Sequence, residues 1–177
     1  LKANIDLKED YSQLHQDFIL LNKTIFTPLG ILAENIQVEK ESQEYGALQF
    51  DVMEKKIKFR VAKTTPKKVG HFVTLWKRVK GVTVPHNKSD TIDFFIISVR
   101  NEDNIGFFLL SKDTLIEHKI FSSNGCNGKR GVRVYPPWSL ASNKQARSTQ
   151  YWQIKHFYDI SKPNYKPNIL KGILEKK

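Results

Sequence analysis

Thr91 to Val99, TIDFFIISV, is the most apolar run of the chain, and only a strand buried on both faces suits it. A sheet must therefore run through the middle of the fold. After the polar turn Arg100 to Gly106, Phe107 to Leu110 returns as its antiparallel neighbour. Upstream, Leu48, Phe50 and Val52 alternate with Gln49 and Asp51, and Ile57, Phe59 and Val61 alternate with Lys58, Arg60 and Ala62. These are two half-buried strands that can pair as a hairpin through Met53 to Lys56. His71 to Val79 and Gly131 to Trp138 read as further strands, the second closed by two prolines.

Helices stand at the margins. Leu7, Tyr11, Leu14, Phe18, Leu21 and Ile25 make an apolar stripe over 6–26, with Asp6 as cap and Glu9 completing a capping box. Thr27-Pro28-Leu29-Gly30 ends that helix. Ser111 to His118 reads as a short helix and 143–160 as the last clear one. Residues 34–44 are polar and read as loop or short helix. The expected class is α/β (α+β), a central mixed sheet flanked by helices, with one domain over 1–160 and a basic tail over 161–177.

Charge is segregated. The 177 residues hold 29 Lys and Arg against 18 Asp and Glu, a formal +11. Lys55 to Lys88 contains 11 of the basic residues and no acid, so the rest of the chain balances at 18 against 18. Ile57, Phe59, Val61, Phe72, Val73, Leu75 and Trp76 are interleaved with that charge, so the stretch is folded structure with one cationic side. A second basic segment, 118–177, carries +10, and an acidic one lies between the two. If the fold joins the two basic segments, they make one cationic face, and polyanions are the expected partners: nucleic acid first, an anionic membrane surface second. Trp76, beside Lys77 and Arg78, is either core or a stacking platform next to phosphate contacts.

Other classes are excluded or weakened. No apolar run reaches the ~18 residues of a membrane span. The polar start and the single Cys126 suggest a cytoplasmic protein. The five His show no metal-ligand spacing, and there is no P-loop or G-x-G-x-x-G.

Several spaced motifs are familiar as a set. They are Arg60, Ala62, Lys63, Thr65, Pro66, Lys68, Gly70 and Phe72, then Asp93-Phe94, Gly106 and Phe108. The densest is Gly128-Lys129-Arg130-Gly131-Val132-Arg133-Val134-Tyr135-Pro136-Pro137-Trp138, followed by Gln145-Ala146 and Thr149 to Gln153. From about Glu41 to Phe157 the chain resembles the MepB-like family of small bacterial proteins. That resemblance implies a restriction-endonuclease-like core, a fold that often hosts Mg²⁺-dependent phosphodiester cleavage of the PD-(D/E)xK type. Such chemistry needs an acid on one strand and an acid-x-Lys on the next. Asp93 stands where the first acid, a metal ligand, would be, and Lys112 where the Lys would be. Leu110 replaces the second acid, unless Glu41 or Glu44 reaches in.

The leading expectation is thus a nucleic-acid-binding protein, with Lys58, Arg60, Lys63, Lys67, Lys68, Arg78, Lys129, Arg130 and Arg133 on a phosphate-contacting face. Gln150 and Gln153 either read bases or serve as buried amides at the sheet edge. The rivals are a nuclease using Asp93, Lys112 and Glu44 with Mg²⁺, and a regulatory module that binds an acidic protein partner.

Overall fold

The computed structural model describes residues 13–162 and 168–175. Its main sheet has six strands: β1 Glu34–Val38, β2 Leu48–Val52, β3 Lys55–Val61, β8 Phe94–Arg100, β9 Ile105–Ser111 and β11 Phe157–Asp159, in that spatial order. Strands β3 and β8 run parallel, and the other neighbours are antiparallel. The β2–β3 hairpin closes on Met53 and Glu54, with φ of 48° and 65°. Left-handed backbone at both central residues matches the twist of the strands it joins.

Strand β8 is apolar from Phe94 to Ile97 and again at Val99 because both its sides are covered. Phe94 and Ile96 enter one core with Phe18, Phe50, Phe59 and Leu109. Phe95, Ile97 and Val99 enter another with Val73, Leu115, Phe121 and Val134. Helix α1, Gln16–Leu21, covers the first core and is tied to β8 by Ser98 Oγ donating to buried Asp17 at 2.7 Å. Helix α2, Lys112–Glu117, follows β9 directly, capped by Ser111 Oγ.

The other core is roofed by a small three-stranded sheet, β10–β5–β4, formed by Gly131–Val134, Lys68–Thr74 and Lys63–Thr65. A separate hairpin, β6 Trp76–Val79 with β7 Val82–Pro85, turns at Lys80-Gly81. Helix α3, Lys144–Gln153, packs beside β10.

Four expectations change. Residues 34–38 form an edge strand, hidden in the sequence because an outer strand open to solvent needs no apolar alternation. The His71 to Val79 strand breaks at buried Leu75, so its halves serve two sheets. The last helix ends at Gln153; a 3₁₀ turn then leads into β11, where Phe157 pairs with Phe108 at 4.9 Å between ring centroids. Within the basic tail, where the sequence leaves Ile169–Leu174 either packed or loose, helix α4, Asn168–Leu174, packs, and its Leu170 and Leu174 are buried in the first core. The first helix begins only at Gln16, where His15 is extended and caps it by accepting from Asp17 N at 3.1 Å, so the continuous helix expected over 6–26 is interrupted at 14–15. It continues as a π turn, Asn22–Phe26, and ends at Gly30. Asp6 and Glu9 lie outside the described residues. Among the described residues no helix is long and apolar enough to cross a membrane.

Candidate nucleic-acid interface

Strands β5 and β10 bring the two basic segments together. Their register pairs Gly131 with Thr74, Val132 with Val73, Arg133 with Phe72 and Val134 with His71. Strand alternation buries His71, Val73, Val132 and Val134 and leaves Phe72, Gly131 and Arg133 on the outer face. On the other side of β5, Lys63 pairs with Phe72. Lys63, Phe72 and Arg133 therefore stand in one row across three strands.

Helix α3 forms the facing wall. Buried Gln153 joins the two: its Oε1 accepts from Tyr135 N at 2.8 Å, and its Nε2 donates to Arg133 O at 3.0 Å. Between the walls is a cleft of about 880 Å³. Lys67, Lys68, Lys129 and Arg133 line it, and no Asp or Glu does. The first turn of α3, capped by Asn143 Oδ1 accepting from Ala146 N, lies on the same wall and adds the positive end of a ten-residue helix.

These cations are unneutralised. Among the described residues, none of Lys63, Lys67, Lys68, Lys129, Arg130 and Arg133 pairs with a carboxylate. Arg133 is held by neutral acceptors: Thr65 Oγ1 at 2.7 Å and Gly70 O at 3.2 Å. Its charge stays available while its position is fixed. Lys63 Nζ sits 4.9 Å from the centre of the Tyr45 ring, and Arg130 reaches Thr83 Oγ1 at 3.4 Å. At the cleft's inner end, His118 stacks on Trp152 with centroids 3.7 Å apart. Burial holds that imidazole below the usual histidine range, with Glu117 opposing and Lys129 assisting.

Several expected members of the face lie elsewhere. Arg60 is 1% exposed and forms an ion pair with Glu39, which also takes Lys58. Both cations project from the face of β3 opposite Ile57, Phe59 and Val61, as alternation predicts, but that face is covered by core. Burial would raise the Glu39 pKa; Arg60 and Lys58 outweigh it and hold the carboxyl below its ordinary value. Arg78 is engaged by Glu41 and by the half-buried Trp76 ring, 5.3 Å from its guanidinium carbon. Gln150 does not present a base-reading edge, because its amide nitrogen donates to Pro136 O and Ser139 O at 2.9 and 2.8 Å.

The expected catalytic group is only partly assembled. Lys112 N donates to Asp93 O at 2.8 Å, so those residues are neighbours. The Asp93 carboxylate, however, accepts from Lys56 N at 2.8 Å, and Lys112 Nζ donates to Asp90 O at 2.6 Å. Leu110 is fully buried, and Glu44 sits on the turn Gln43–Tyr45. Among the described residues no three His, Cys, Asp or Glu are placed to hold a metal ion.

Two aromatic residues of the cleft were visible in the sequence without a role, Phe72 and Tyr135. The signal that marks Tyr135 is alternation in the densest motif, where Gly131, Arg133 and Tyr135 fall on one side; Phe72 is marked only by the pairing of β5 with β10.

The MepB-like family model matches residues 39–159. The crystal structure of MepB is similar with a TM-score of 0.72 and 34% sequence identity, over 84% of this chain and 99% of that one. No curated protein matches the sequence.

Proposed function

The chain belongs to the MepB-like family, and we propose that it binds nucleic acid through the cleft between β10–β5–β4 and α3. The observation that carries this reading is the charge of the cleft: four cations line it and no carboxylate does. Phosphates are the ligand such a lining suits, since each Lys or Arg that neutralises a phosphate releases a cation condensed on the nucleic acid. A cytoplasmic setting, where nucleic acid is met, belongs to the same proposal. An acidic protein partner, the rival reading, would use the same charges.

The test is affinity for a labelled oligonucleotide across a salt series. Log affinity should fall against log salt with a slope of about −0.7 for each single-strand phosphate contacted, near −3 for four cations. Arg133→Met should weaken binding roughly tenfold and flatten the slope by about one contact. A salt-independent affinity would remove the proposal.

The restriction-endonuclease-like reading has one observation in its favour, the adjacency of Asp93 and Lys112. The donors around Asp93 do not fit Mg²⁺: one carboxylate oxygen is occupied by a backbone N–H, and the position of the second acid is buried Leu110. Binding is therefore favoured over cleavage.

A further inference from the structure

The outer face of the β5–β10 pair repeats one arrangement twice. A Cβ added at Gly131 would lie 2.6 Å from Phe72 Cζ, and one added at Gly70 would lie 2.6 Å from Tyr135 Cε1. Each aromatic ring thus lies over a glycine of the opposite strand, close against the sheet. Both residues are half-buried and line the cleft, so part of each ring is open to it. Tyr45 meets Phe72 edge-on, with centroids 6.3 Å apart and planes at 69°, which props the ring without covering it. Arg133 stands between Gly131 and Tyr135 on the same side of β10, with its guanidinium carbon over the Phe72 ring at the loose distance of 6.0 Å from its centroid, so a stacking base and this cation share that ring.

The spacing of the rings decides what can stack on them. Phe72 and Tyr135 are diagonal neighbours of an antiparallel pair, about 7–8 Å apart. Their rings turn toward different glycines, which widens the gap. Bases stacked in a duplex rise only ~3.4 Å along a strand. Two successive bases can meet both rings only when they are unstacked and splayed. A duplex buries its base faces against each other and offers none to a ring, whereas an unpaired strand offers every one.

Resting on the nucleic-acid reading above, we propose that the cleft takes a single strand. Two successive bases lie on Phe72 and Tyr135, and the phosphate linking them is held by Arg133. Lys68 and Lys129 meet the phosphates on either side. Every base has a ring face, so the site tolerates sequence.

The experiment compares fluorescence anisotropy of labelled dT12, rU12 and a 12-base-pair DNA duplex at one low salt concentration. The intact protein should bind at least one single strand tenfold or more tighter than the duplex; the tighter of dT12 and rU12 identifies the natural sugar. Phe72→Leu still covers Gly131 but has no ring face, and it should lose between about five- and a hundredfold on the single strand. Tyr135→Leu should do the same, Phe72→Tyr should bind as the parent does, and duplex affinity should not move. Equal or tighter duplex binding overturns the proposal, as does single-strand affinity unchanged in both leucine variants. If no oligonucleotide binds at all, the nucleic-acid reading falls with it, a result distinct from a preference for duplex.

Discussion

The basic stretch 55–88 supplies cations to two regions that use them in opposite ways. Against the six-stranded sheet, buried Arg60 and half-buried Lys58 gather around Glu39, while Lys77 and His86 hold Asp90. On the small sheet, Lys63, Lys67 and Lys68 join Lys129 and Arg133 with no acid among them. The first set lies on β3 and around the β6–β7 hairpin, the second on or beside β4, β5 and β10. What separates them is what lies above the charged side: core and an imported carboxylate in one case, an open cleft in the other. A count of positive charge does not identify a binding surface, since half of it can be structural.

Substitutions should separate the two roles, and the largest effect belongs to the buried set. Glu39→Gln leaves Arg60 without its counter-charge in the core and should cost about 3–5 kcal/mol of stability in urea unfolding. The oligonucleotide affinity of the molecules still folded should be unchanged. A loss of affinity in the folded fraction would mean that the two regions are one.

Acid should act on the same region next. His86 lies between Phe95 and Phe121, 5.5 Å from each ring, and burial lowers its pKa to about 4 against the opposing bond to Asp90. The unfolded imidazole takes a proton near pH 6.5 and the folded one does not. Stability should therefore be full above pH 6.5 and fall by about 3 kcal/mol as pH drops toward 4. The depressed Glu39 carboxyl works in the same direction at the lower end, losing its contribution as pH falls below its ordinary value of 4.5. His86→Phe should remove most of the slope between pH 6.5 and 4.5; an unchanged slope would place the titration elsewhere.

The smallest change in stability belongs to the cleft. Lys67→Ala and Lys129→Ala should each leave the unfolding midpoint within about 0.5 kcal/mol of the parent, while affinity falls a few-fold. A cleft lysine that proves costly to remove would blur the distinction drawn above.

The sheet was largely legible in the sequence. The β2–β3 hairpin follows from alternation, the β8–β9 pair from an apolar run with a polar turn, and Gln153 takes one of its two readings, the buried amide. Less legible was what covers each face. Alternation assigns Arg60 a side of β3 and says nothing of Glu39 arriving from another segment to pair with it. The polar edge strand β1 carries no apolar period, and β11 was absorbed into a helical pattern because Phe157 continues the spacing of α3. The cleft was half visible: its cations stood out by number, while its rings and glycines take meaning only from the register of β5 against β10.

Gln153 carries one more implication. A single side-chain amide bolts the helix to the strand at the base of the groove, through two consecutive links of the strand's own backbone. Walls tied in this way resist swinging together. If the proposed strand enters, the fit should come more from pliancy in the guest than from movement of the protein.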